Sequence, residues 1–178
     1  LAVQAGDEII ELINKIQSKY EIVVATQDWH PANHKSFASM HADRSAFDVI
    51  DWNGYPQTLW PNHCVQGSTG ADFSPSLDTN GIQAIFRKGM DKNVDSYSGF
   101  FDNQKSHHTG LHGYLQDKNV DEVHICGLAA DYCVYFTAMD ALALGYKTAI
   151  VSKATKAIDK DGYRKKKENI NKKGGLFI

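Results

Sequence analysis

The sequence predicts an α/β protein, a three-layer α-β-α arrangement around a mainly parallel sheet. Two observations lead to that class. Short apolar, β-branched runs alternate along the chain with stretches of helical periodicity, as βα units do. The chain has 178 residues, 42% of them hydrophobic and 22% charged, which suits a single domain with a real core.

The elements follow in order. Ile9, Leu12, Ile13, Ile16 and Tyr20 fall at helical spacing, so residues 7 to 19 are expected as an amphipathic helix. Ile22 to Thr26 has the composition of a buried parallel strand. From Gln27 to about Asp78 the chain is rich in Trp, His, Pro, Gly and Asn and reads as a long loop region. A loop of that length inside a compact domain is usually functional. Ala84 to Arg87 is a short strand, and Leu111 to Leu115 sits in a short helix. Glu122 to Cys126 is the next strand. Asp131 to Leu144 is a helix, apolar almost all round and therefore buried, with Asp131 as its N-cap and Gly145 just past its last turn. Lys147 to Val151 is a strand, Asp161 to Lys172 a polar surface helix, and Gly175 to Ile178 a closing strand.

Composition excludes several classes of function. A formal net charge of -2 gives no electrostatic reason to expect a nucleic acid or an anionic membrane as partner. No apolar run approaches the roughly 20 residues a membrane span needs. The three cysteines, Cys64, Cys126 and Cys133, are odd in number and form no C-x-x-C pair, which points to a reducing, cytoplasmic setting. No signal-peptide pattern is present at the N-terminus. The basic run Arg164 to Lys167 reads as a solvated helix face, and His107, His108 and His112 as surface residues. Nothing in the composition argues against a homo-oligomer.

In an open parallel sheet, ligands bind at the carboxyl ends of strands. Three such ends carry chemistry here. After Thr26 the segment QDWHPANH sets Asp28 and His30 two residues apart, on one side of an extended chain. A carboxylate and an imidazole can share a divalent ion such as Zn²⁺, Fe²⁺ or Mn²⁺. His63, in the Pro61-constrained run WPNHCV, is a third ligand candidate. His34 is a fourth, either as a direct ligand or as a hydrogen-bonding neighbour of one. After Cys126 a tight turn puts Cys133 in the first turn of a helix, where free N–H groups favour a thiolate and could hold an oxyanion. Cys133 as a small buried apolar residue stays open on this reading. Cys126 reads as core and Cys64 as structural. After Phe86, Lys88 is a lysine at a strand end, which on spacing alone reads as a surface residue.

Together QDWHPANHKSFAS, WPNHCV, FRKGMDKNVDSYSGFFDN and GLAADYCVYFTAMDALALGYKT resemble the nicotinamidase/pyrazinamidase group of the isochorismatase-like cysteine hydrolases, in order from about Leu1 to Val151. The resemblance implies one domain over residues 1–178, a six-stranded sheet, and hydrolysis of nicotinamide to nicotinic acid and ammonia in NAD salvage, with pyrazinamide as an analogue. It implies Cys133 as nucleophile and Lys88 as the lysine of the catalytic triad. It implies the Ala129 and Cys133 amides as oxyanion hole, with a cis peptide before Ala129. The divalent metal, zinc in the first instance, would be bound by Asp28, His30 and His63, and Trp60 and Tyr97 would line the pyridine pocket. One departure is plain. The family's general base lies in a V-D-x-Q-x-D-F strand, and no such segment occurs in this sequence, so the first, central strand is expected to exist in the native protein but to lie outside these 178 residues. Two rival readings are a related cysteine hydrolase of another amide and a non-catalytic chain that binds a metal or ligand.

Overall fold

The computed structural model describes all 178 residues, Leu1–Ile178. A 3-10 turn over Gly6–Ile9 runs directly into α1, Ile10–Gln17, so the expected first helix is divided between two helical forms. The strands are β1 (Val24–Asp28), β2 (Val49–Trp52), β3 (Tyr55–Thr58), β4 (Ala84–Lys88), β5 (Glu122–Leu128), β6 (Lys147–Lys156) and β7 (Leu176–Phe177). The later helices are α2 (Leu111–Asp117), α3 (Tyr135–Ala143) and α4 (Lys160–Lys172).

The parallel strands form two blocks. β1 pairs with β4, and β5, β6 and β7 pair in that order. No strand pairing joins β1 to β5 within residues 1–178, so the parallel strands here form two blocks, and the V-D-x-Q-x-D-F strand of the six that the resemblance implies is not among these residues. Side chains hold the blocks together. Val24 of β1, Phe86 of β4 and Val123 of β5 pack on one cluster of Phe100, Leu111, Leu115, Ala141 and Tyr146. A second cluster, Val134, Ala138, Ile150 and Ile170, seats α3 and α4 against β6. Ala138 and Ala141 are fully buried, and their small side chains let α3 lie close to the sheet. Fully burying Ile150 and Ile170 contributes about 1.5–3 kcal/mol each.

Two parts of the sequence reading need correction. The Gln27 to Asp78 region is not all loop, since it contains the antiparallel hairpin β2–β3. Asn53 (φ 55°) and Gly54 (φ 83°) both take the left-handed conformation that a tight two-residue hairpin turn requires. Asp131 is not an N-cap. The chain enters α3 through a wide turn over Ala130–Val134 with no side-chain cap. The Asp131 carboxylate instead accepts the Ile158 and Asp159 amides at 3.0 and 2.8 Å, tying that turn to the entry of α4. α4 is capped by Asp159, whose side chain accepts from the Asp161 amide. No helix is long and apolar enough to cross a membrane.

Candidate active site

β1 and β4 run in parallel register with Asp28 opposite Lys88. Opposed residues of paired strands project to the same face, which brings the two side chains into a hydrogen-bonded ion pair. The Lys88 ammonium, only 4% exposed, also donates to the Ser96 carbonyl at 2.9 Å and to Cys133 Sγ at 3.3 Å. Lys88 is thus fully engaged and not the surface residue its spacing suggested. Burial works against its charge, but Asp28 and Cys133 beside it hold its pKa above the ordinary lysine value. Burial likewise works against the Asp28 carboxylate. The cations it faces, Lys88 first and then His30, still bring its pKa below the usual carboxylate range.

Past Asp28 the chain stays extended. The His30 amide donates to the Cys64 carbonyl at 2.9 Å and the Gln66 amide to the His30 carbonyl at 2.8 Å. That pairing carries the WPNHCV segment alongside the end of β1 and brings His63 to Asp28 and His30. One potential ligand atom of each of the three lies within 4.8 Å of the others. His30 Nδ1 lies 2.9 Å from the Gly89 carbonyl and His63 Nδ1 2.8 Å from the Pro61 carbonyl, so each ring is fixed with Nε2 free. A ligating histidine ordinarily has its other nitrogen held in this way. Asp28 keeps its second oxygen clear of the Lys88 contact. This donor set, one carboxylate oxygen and two imidazole nitrogens, suits a divalent ion. His34 is fully buried, and burial brings its pKa down to about 4.

Cys133 lies in the turn entering α3 and is not an activated thiolate at rest. Burial raises its pKa above the ordinary value and outweighs the opposing pull of Lys88, correcting the expectation drawn from its helix-start position. The same turn follows a cis peptide between Leu128 and Ala129. Cys126 and Cys64 are both pushed up to about 11 by burial, and neither touches Lys88.

A cavity of about 300 Å³ joins these groups. Its lining includes Asp28, His30, His63, Lys88, Ala129 and Cys133. Trp60 and Tyr97 line it as well, with Trp60 Nε1 donating to the Tyr97 hydroxyl at 3.3 Å. Another cavity, about 320 Å³ beside Lys160 and Lys167, holds none of these residues.

Three contributors escaped the sequence reading. Tyr132 completes the aromatic wall, with ring centroids 4.7 Å from Trp60 and 5.3 Å from Tyr97. Asp95 is buried and also lines the cavity. Gly89 has φ +65°, and a Cβ there would lie 2.3 Å from His30 Cε1, so only glycine lets its carbonyl hold that ring. The signal for Gly89 was its place directly after Lys88. Tyr132 and Asp95 carried none.

Comparison with known proteins agrees with this geometry. The Isochorismatase domain family matches residues 2–178. The nicotinamidase of Acinetobacter baylyi is 46% identical over 162 residues, covering 91% of this chain and 76% of that protein. The nicotinamidase of Escherichia coli K12 is 46% identical over 163 residues, covering 89% and 76%. Among solved structures, a nicotinamidase/pyrazinamidase of Acinetobacter baumanii superposes with a TM-score of 0.97 at 41% identity, covering all of this chain and 86% of that one. The yeast nicotinamidase bound to the inhibitor nicotinaldehyde gives 0.94 at 31%, covering 100% and 90%. A pyrazinamidase of Pyrococcus horikoshii in complex with zinc gives 0.78 at 32%, covering 100% and 88%. With the shared cavity and these matches along its length, the chain belongs to the isochorismatase family, in its nicotinamidase/pyrazinamidase group.

Proposed function

We propose that residues 1–178 form a single isochorismatase-like hydrolase domain that hydrolyses nicotinamide to nicotinic acid and ammonia. The observation that carries this is the Cys133 sulfur 3.3 Å from the buried Lys88 ammonium, in one cavity with the Asp28–His30–His63 group. Relatives named for this activity support it, as does the neighbour that binds nicotinaldehyde, a near analogue of the substrate.

In this reading Cys133 Sγ attacks the carboxamide carbon and gives a thioester as ammonia leaves. Since the resting thiol is protonated, the attack needs a base. A carboxylate takes the thiol proton and returns it to the departing nitrogen. The family resemblance assigns that base to the V-D-x-Q-x-D-F aspartate, which is not among these 178 residues. Lys88 stays charged and steadies both the carboxylate and the developing thiolate. The Ala129 and Cys133 amides receive the oxyanion, a donor of this kind being worth about 3 kcal/mol. Trp60 and Tyr97 line the wall against which the flat ring rests. Asp28, His30 and His63 would hold a divalent ion, zinc by analogy with the zinc-bound neighbour, and that ion would orient the ring by polarising its nitrogen. Water then cleaves the thioester.

The test is ammonia release from nicotinamide, measured on this chain and on the same chain extended N-terminally by a V-D-x-Q-x-D-F strand. Release by the extended chain that disappears on Cys133→Ala is the expected result. No release from a folded, zinc-loaded extended chain ends the proposal.

A further inference from the structure

The basic run Arg164 to Lys167 departs at one position from the solvated face its composition suggests. Arg164, Lys165 and Lys167 are exposed, while Lys166 is half-buried. Its ammonium donates to the Asp131 carbonyl. It also lies over the rings of Tyr132, Tyr135 and Phe136, at 4.4, 5.3 and 5.6 Å from their centroids. A cation is attracted to an aromatic face, and more strongly where water is partly excluded. Burial brings the Lys166 pKa below the ordinary lysine value, against the pull of the Asp131 and Asp159 carboxylates. One lysine of α4 is therefore spent on the turn that enters α3.

That turn carries the chemistry. Asp131 and Tyr132 directly precede Cys133, and Tyr132 belongs to the aromatic wall with Trp60 and Tyr97. From inside, the turn is wound on the Ala129 carbonyl, which accepts the Tyr132 and Val134 amides at 3.1 Å each. From outside, α4 and the residues leading into it hold it by polar contacts. The Ile158 and Asp159 amides fix the Asp131 carboxylate. Lys166 fixes the Asp131 carbonyl, which orients the peptide plane one step before the Cys133 amide. The Asn169 side chain donates to the Tyr135 hydroxyl at 2.6 Å, beyond the turn. Of these contacts, only that of Lys166 also reaches the face of Tyr132. Lys166 does not line the cavity, so it can influence a substrate only through the turn.

We infer that Lys166 is a positioning residue for the nucleophile turn, its ammonium fixing at once the wall ring of Tyr132 and the Cys133 sulfur that follows. The inference rests on the reading of Cys133 as nucleophile. It gives α4 a part in the reaction although none of its side chains lines the cavity.

The test compares Lys166→Met, which keeps the stem and loses the ammonium, with Lys166→Arg and Asn169→Ala. Each is made in the N-terminally extended, zinc-loaded chain and assayed at 25 °C, with folding checked by circular dichroism. Lys166→Met should lower kcat/KM for ammonia release from nicotinamide by about ten- to hundredfold, the scale of a slightly misplaced reacting group. Lys166→Arg restores a donor and a charge and should recover most of that loss. Asn169→Ala loosens α4 without touching the turn. It should lower Tm yet leave kcat/KM within about twofold. In the 178-residue chain, iodoacetamide should alkylate Cys133 faster in Lys166→Met than in wild type, read by mass on the Cys133 peptide, because a slack turn exposes the sulfur. Unchanged kcat/KM in folded Lys166→Met, or an equal loss in Asn169→Ala, overturns the inference. If the extended wild-type chain releases no ammonia, the nucleophile reading falls. The alkylation rate then decides by itself, an unchanged rate overturning the role of Lys166 and a faster one upholding it.

Discussion

Replacing Lys88 with methionine keeps most of the side-chain volume and removes the ammonium that Asp28, the Ser96 carbonyl and Cys133 share. Breaking a buried ion pair by removing one partner costs about 3–5 kcal/mol, because the other charge is left uncompensated. The Asp28 side chain keeps 21% of its exposure, so water recovers part of that loss and the lower end, about 3 kcal/mol, applies. For a chain of this size each kcal/mol moves Tm by about 2–4 °C, so calorimetry at neutral pH should show a fall of about 6–12 °C. The sign of the pH dependence follows from Asp28. Its folded pKa lies below the ordinary 3.8, so its stabilisation is present above that value and is lost as pH falls through the folded one. The Tm gap between wild type and Lys88→Met should therefore close below about pH 4. The Cys133 thiol, already raised by burial, loses the one neighbour that lowers it. Iodoacetamide should then alkylate the variant more slowly at mildly alkaline pH. A Tm change under about 2 °C at neutral pH, or an equal gap in acid, would refute this account of the pair.

Cys133→Ala in the N-terminally extended chain should lower ammonia release from nicotinamide by about three orders of magnitude or more, with zinc binding by isothermal titration unchanged. Gly89→Ala forces a side chain onto the His30 ring and strains a left-handed backbone. Zinc affinity, read by chelator competition, should weaken by about 10–100-fold, the usual effect of disturbing a ligand's support. Trp60→Phe keeps an aromatic wall but loses the bond from Nε1 to the Tyr97 hydroxyl. Urea unfolding should register a loss of about 1 kcal/mol, and KM should rise more than kcat falls. Ile170→Ala should cost about 2–5 kcal/mol in the same assay, since the residue is fully buried between α4 and the sheet.

Much of this molecule was legible in its residues. The alternation of strands and helices gave the fold class, and the D-x-H pair after a strand gave two of the three side chains grouped as a candidate ion site. What escaped depended on partners distant in sequence. β1 was read as ending at Thr26, but it runs on to Asp28 because β4 continues beside it to Lys88. Local composition cannot report that. Asp131 looked like a cap because the amides it serves, Ile158 and Asp159, lie beyond another strand. Cys133 looked activated because a helix start is visible in sequence, whereas the burial that raises its pKa is not. The β2–β3 hairpin is different. Asn53-Gly54 between apolar residues was a readable turn signal, masked by the surrounding loop-like composition.

The division of the sheet has one more consequence. Lys88 ends a strand of one block, while Cys133 follows a strand of the other. The 3.3 Å between amine and sulfur is therefore a gauge of how the halves sit together. Phe100 and Leu111, in the cluster on which strands of both blocks pack, act as the shims that set it. Trimming either should widen the gap between the Lys88 amine and the Cys133 sulfur.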